Sequence, residues 1–197
     1  MTGRLPLIPT FIVAAAVATM IALGVWQLSR AQWKEQLLSQ YQDASKLPPI
    51  AYPTAPRTGE PPLYRWATGN CLRPVSHRAT AGQNRNGEGG YVHVVQCATG
   101  AEGPGMAVEI GWSRDPKAKW QWPGGPVTGM IAPDRDNLMR LVAATPPPGL
   151  GASAMPSVEA ISNNHRLYAV QWFLFAAIAL VIYVLALRKR APAKPPA

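Results

Sequence analysis

His165 stands in the stretch ISNNHRLYAVQWFLF, directly behind Asn163 and Asn164 and directly before a long apolar run. Three groups that want hydrogen bonds are costly when buried in hydrocarbon. At the rim of a membrane the same imidazole is either a headgroup anchor or a ligand that offers a ring nitrogen to a metal. Helical spacing gives the second reading its shape. If a helix opens near Asn163, then His165, Tyr168, Trp172, Ala176, Ala179 and Tyr183 share one face, with Ala169 beside them. That face combines a ligand atom, aromatic walls and small residues. On residue type and position alone the plainer reading stands first, because asparagines cap helices and amphipathic rings belong at their ends.

Other side chains carry less. Cys71 and Cys97 have no C-x-x-C spacing, so neither a redox motif nor a copper site is indicated. Their pairing depends on a strand order that sequence does not give. Two free core cysteines are the expectation and a disulfide the alternative. His77 and His93 lack partners at ligand spacing and read as surface or packing histidines. The segment GWSRD lacks the second glycine of a nucleophile elbow, and no oxyanion-hole signature accompanies it. Neither a Walker loop nor a G-x-G-x-x-G before a helix is present, so nothing reads as an enzyme.

The elements that must position His165 follow from two windows without any charge, 5–29 and 167–187. Each is long enough to span about 30 Å of hydrocarbon as a helix. A signal peptide is the rival for the first window. Its apolar run is longer than an h-region, and an amphipathic stretch continues from it without a clear cleavage site. Ala14, Ala18 and Ala22, at four-residue steps, form the small-residue row expected to pack against the second span. Arg188, Lys189, Arg190 and Lys194 follow the second span while only Arg166 directly precedes it, which places the C-terminus in the cytoplasm.

The expected class is an α+β membrane protein, two transmembrane helices flanking a small external antiparallel β domain. The expected order is a cytoplasmic N-terminus (1–4), transmembrane helix 1 (5–29), an amphipathic juxtamembrane helix (30–45) and a Pro-rich connector (46–63). A periplasmic, mainly antiparallel β domain (64–145), a Pro/Gly-rich connector (146–162), transmembrane helix 2 (163–187) and a basic cytoplasmic tail (188–197) complete it. A bacterial inner membrane is the simplest setting.

The net charge of +9 is not a nucleic-acid signal. Between Arg30 and Arg166 fourteen basic side chains meet ten acidic ones, and the rest of the excess flanks the membrane. No stacking-aromatic module or Lys/Arg block points to RNA or DNA. Arg30 and Lys34 suit contact with anionic lipid headgroups.

Period-two patterning marks the external domain. In GYVHVVQC, Tyr91, His93, Val95 and Cys97 alternate with Val92, Val94 and Gln96; in MAVEIGW, Met106, Val108, Ile110 and Trp112 fall together. YRWATGNCLR and VTGMIA read as strands and HRATAGQ as a weaker one, making a small sheet or open barrel. DRDNLMRLVAA suggests a short helix beneath it.

Four segments together, LGVWQLSRAQWKEQLL, GGYVHVVQC, VEIGWSRDP and NNHRLYAVQWFLFAAIALVIYVLALRKR, resemble the Surfeit locus protein 1 family of cytochrome oxidase assembly factors. The likeness runs from about Leu23 to Arg190 and is most specific at the ends: Gly-x-Trp-Gln leaving the first span, Asn-Asn-His…Tyr-Ala…Trp-Phe entering the second. Glu109, Ile110, Gly111 and Trp112 stand where the family usually has Asn-Arg-Gly-Trp, and Arg166-Leu167 where it prefers Leu first.

The resemblance implies an assembly factor that binds haem a transiently and assists its insertion into cytochrome c oxidase subunit I. It maps the family histidine onto His165 and the family tryptophan onto Trp172. Tyr168 shares that helix face, and Arg166 or Arg30 suits haem propionates, since guanidinium forks match carboxylates. The alternative is a cofactor-free membrane scaffold that brings haem a synthase and subunit I together.

Overall fold

The structure, a computed structural model, describes residues 6–54, 60–100 and 105–190, with the backbone alone at Arg190. The expected cytoplasmic segment 1–4 with Arg4, and the tail past residue 190 with Lys194, lie outside the described residues. The chain forms two compact units, Leu38–Ile161 and the flanking chain up to Leu37 and from Ser162.

Helix α1 (Leu7–Lys46) is continuous over 40 residues, about 60 Å at 1.5 Å per residue. The expected span 5–29 and juxtamembrane helix 30–45 are therefore one element. Alanine, leucine, glutamine, lysine and glutamate favour helix throughout, and only Pro48 and Pro49 end it, since proline disfavours α geometry in the residue before it. Helix α2 (His165–Arg190) has 26 residues. Leu7, Ile8 and Phe11 on α1 and Leu167, Val170 and Ile182 on α2 are exposed. Apolar surface on this scale, on two helices long enough to cross a bilayer, belongs in lipid; the chain is a membrane protein.

Within the helix unit α1 and α2 run antiparallel, as the contacts show: Thr10 meets Tyr183, Gly24 meets Phe173 and Gln27 meets His165. The buried residues of α1 are Val17, Gly24 and Ala31, at seven-residue steps, with Ala169 and Ala176 buried on α2. This corrects the expected row, because Ala14, Ala18 and Ala22 are exposed. Steps of four advance about 40° around a helix, whereas steps of seven slip by only about 20° and so stay on a seam. The approach at Gly24 is tight: a Cβ there would sit 2.6 Å from the Phe173 ring.

The other unit holds β1 (Ile50–Ala51), β2 (Trp66–Cys71), β3 (Arg73–Gln83), β4 (Gly89–Ala98), β5 (Met106–Ser113), β6 (Gly125–Pro133) and β7 (Met139–Ala143). They form one sheet in the order β1-β2-β6-β7-β5-β4-β3. Strand β2 lies next to one edge and β3 forms the other, yet Leu72 alone separates them in sequence. One residue bridges that gap only if the sheet curls until its edges meet, giving an open barrel. Leu72 N–H donates to Ala98 carbonyl at 2.9 Å across the closure. Cys71 and Cys97 are disulfide-bonded there, not free as expected. Curling brings β2 to β4, which linear spacing could not reveal.

The sheet is mixed rather than purely antiparallel: β1 pairs with β2, and β5 with β7, in parallel. The expected helix in DRDNLMRLVAA is strand β7. The Asp134 carboxylate accepts the backbone N–H of Asp136 at 3.3 Å and of Asn137 at 3.1 Å, and Leu138 has φ 60°. That turn consumes the residues a helix would need and leaves five for a strand. The expected face of β5 also breaks. A bulge between His93 and Val94 sets Val94 opposite Glu109 and Val92 opposite Trp112, leaving Ile110 without a pairing partner. Met106, Val108 and Ile110 stay in the main core while Trp112 leaves it. Glu109, almost fully buried, is matched by Arg140 at 2.7 Å, and Arg140 and Arg78 both hold the buried Asp134. Burial pushes the Asp134 carboxyl up, but hydrogen bonds from Arg78 and Asn137 outweigh it and hold it below the usual carboxylate range.

Candidate functional site

His165 is the first residue of α2, with the Asn164 carbonyl accepting the Tyr168 N–H at 3.1 Å. It is half-buried on the seam, and its Nδ1 lies 2.7 Å from Gln27 Oε1 of α1. Its Nε2 has no hydrogen-bond partner among the described residues. Asn163 reaches the Ala31 carbonyl through Nδ2 at 3.5 Å, while its Oδ1 is buried with no partner among the described residues. Two polar atoms thus stand unspent where two apolar helices meet.

The other expected site residues are placed less uniformly. Trp172 is half-buried on the seam, about 10 Å along α2 from His165, and stands perpendicular to Phe175 at 6.2 Å between centroids. Tyr168 falls off the seam and is 51% exposed. Arg166 forms an exposed ion pair with Glu35 at 2.8 Å. Arg30 lies 4.6 Å over the Trp33 ring. Gln27 was not singled out from sequence; its signal was its place in Gly24-Val25-Trp26-Gln27, but its partner is 138 residues away.

A second imidazole cluster lies in the β unit. His77 Nε2 is 3.0 Å from His93 Nδ1, His93 Nε2 is 2.7 Å from Ser113 Oγ, and Ser113 donates to the Asp115 carbonyl at 2.6 Å. The strands explain it: β3 pairs His77 with Val95 and Ala79 with His93, so both rings stand on one face. The Trp120 ring closes edge-on at 5.1 Å from His77 and 6.4 Å from His93. Burial lowers the pKa of both histidines, and at His93 the neighbouring His77 adds to it while Asp115 opposes. His77 also lines an open groove of about 880 Å³ with Lys117, Lys119 and Trp120. Among the described residues no group of three or more His, Cys, Asp or Glu side chains is placed to hold a metal ion.

A model of the SURF1 family matches residues 14–177, from within α1 to within α2. The chain belongs to the SURF1 family. Its role lies in cytochrome oxidase assembly. No curated protein matches the chain. The matched stretch contains the whole β unit, the seam from Val17 onward, Gln27 and His165. Ile110, where the family usually has arginine, is fully buried in the main core. That position packs the bulge of β5 and presents no cation.

A haem group asks for one imidazole nitrogen with a free lone pair and for surroundings that shield its macrocycle. His165 supplies the nitrogen with which that demand begins. His165 has one nitrogen engaged and one open, Asn163 Oδ1 is a buried acceptor without a donor, and Trp172 stands on the same seam.

Proposed function

We propose that this SURF1-family chain binds haem a through His165 and assists its insertion into cytochrome c oxidase subunit I. The observation that carries the reading is the half-buried imidazole on the helix seam with Nδ1 held and Nε2 open. Haem a when bound supplies the redox iron that the oxidase needs; this chain's residues hold it and let it go. A site at the mouth of the helix pair lets an isoprenoid tail stay in lipid while the polar edge meets water. Propionates would compete with Glu35 for Arg166, a replaceable exposed pair, which suits a donor that must release its cargo. The basic residues Arg188, Lys189 and Arg190 support a cytoplasmic C-terminus, hence a β unit on the periplasmic side of a bacterial inner membrane.

The scaffold reading, in which the chain joins haem a synthase to subunit I without cofactor, draws on the engagement of Arg30 and Arg166 with Trp33 and Glu35. The optical spectrum of the chain purified from cells making haem a separates the two. Wild type should carry a haem a spectrum and His165→Ala should lose most of it, with membrane insertion unchanged. A wild-type chain free of haem, or a variant with an unaltered spectrum, rejects His165 as ligand.

A further inference from the structure

We infer that Gln27 is the positioning residue of the His165 site, holding the imidazole in the tautomer whose Nε2 lone pair is free for a metal. This rests on the haem-binding reading above. A neutral imidazole has one N–H and one lone pair, and the two exchange places between tautomers. An amide oxygen only accepts. Gln27 Oε1 at 2.7 Å from Nδ1 therefore requires the proton on Nδ1 and leaves Nε2 bare. The opposite amide orientation would donate to Nδ1, move the proton to Nε2 and block it.

The seam gives this bond its reach. Met20, Gln27 and Lys34 recur at seven-residue steps on α1, all half-buried beside the Val17, Gly24 and Ala31 row. Gly24, one turn before Gln27, lets Phe173 approach so closely that any side chain at that position would collide with it. The helices are thus drawn together beside the pair, and Gln27 spans the gap directly. An acceptor on the second nitrogen of a ligating histidine fixes ring orientation and raises ligand basicity.

The test uses the full chain in detergent, labelled with ¹⁵N-histidine. The sequence has three histidines, so His165→Ala assigns the signal. In the haem-free wild type, His165 should show a protonated Nδ1 and a bare Nε2. Gln27→Met, which keeps length but lacks the acceptor, should lose that preference, and Gln27→Glu should keep the proton on Nδ1. From cells making haem a, Gln27→Met should hold haem about 10- to 100-fold more weakly. Gln27→Glu should hold it with a lower reduction potential than wild type, because an anionic acceptor gives the ring imidazolate character. If His165→Ala keeps its haem, the site itself is refuted. A chain that needs His165 but shows Nε2–H in the wild type, or retains haem normally as Gln27→Met, overturns the role of Gln27 alone.

Discussion

His93 and His165 are two imidazoles in two kinds of surroundings. His93 is fully buried in a curled sheet and spends both ring nitrogens, one on His77 and one on Ser113. His165 is half-buried between two helices and spends one, on Gln27. Burial alone would have ranked His93 as the functional group. The hydrogen-bond count reverses that order, since a ring with no lone pair to offer is a packing element however deep it lies. Ser113 makes His93 more rigid still. Its hydroxyl proton goes to the Asp115 carbonyl, so it must accept from His93 Nε2–H, and His93 Nδ1 must then accept from His77 Nε2–H.

The contrast predicts that damage to one unit leaves the other's readout alone. The largest effect should come from the disulfide. Cys71 and Cys97 are 26 residues apart in sequence, and a cross-link closing a loop of that size stabilises by about 3 to 4 kcal/mol through the unfolded chain. Replacing both with alanine should lower β-unit stability by that amount in a denaturant titration. The haem spectrum attributed to His165 should not change. A spectrum lost together with the disulfide would mean that the helix seam depends on the barrel closure.

His93→Leu sharpens the comparison at smaller cost. Leucine fills the volume but leaves His77 Nε2 and Ser113 Oγ without their partner. Two such groups, one of them still near solvent, should cost about 2 kcal/mol of β-unit stability. Haem retention should match wild type. His165→Ala should give the mirror result, with retention lost and the denaturation midpoint of the β unit unmoved.

Sequence pattern captured what depends on near neighbours. Two uncharged windows marked both helices, and alternation located β2 and β4 to β6. It missed what depends on distant partners or on one turn. The Asp134 carboxylate turned an expected helix into β7, and one unpaired residue at Ile110 sent Trp112 out of the core. A row of alanines suggested the wrong helix face, because Gly24 and Phe173 decide how closely the helices approach. At the candidate site His165 and Trp172 were legible as members of one face. Gln27 was not, since its role exists only once α1 and α2 are side by side. The cysteine bond was hidden for the same reason, by a strand order that brings β2 round to β4.

The smallest expected effect is a pH dependence confined to the β unit. His77 and His93 both have folded-state pKa values lowered mainly by burial. In the unfolded chain each takes a proton near pH 6.5. As the pH falls through that value, the unfolded state binds protons that the folded state still refuses. Stability must therefore decline on the acid side of about pH 6.5 and level off above it, with a slope of at most about 1.4 kcal/mol per pH unit from the buried His93 and less from the exposed His77. The two rings should not contribute equally. His77 can take a proton on Nδ1 and still donate Nε2–H to His93, so the chain survives one proton. A second proton on His93 Nδ1 removes the acceptor and breaks it. Denaturant titrations of wild type and His93→Leu between pH 7.5 and about 5 check this: the variant should lose most of the slope over that range. Equal slopes in the two proteins would show that His93 is not the group whose neutrality the β unit requires.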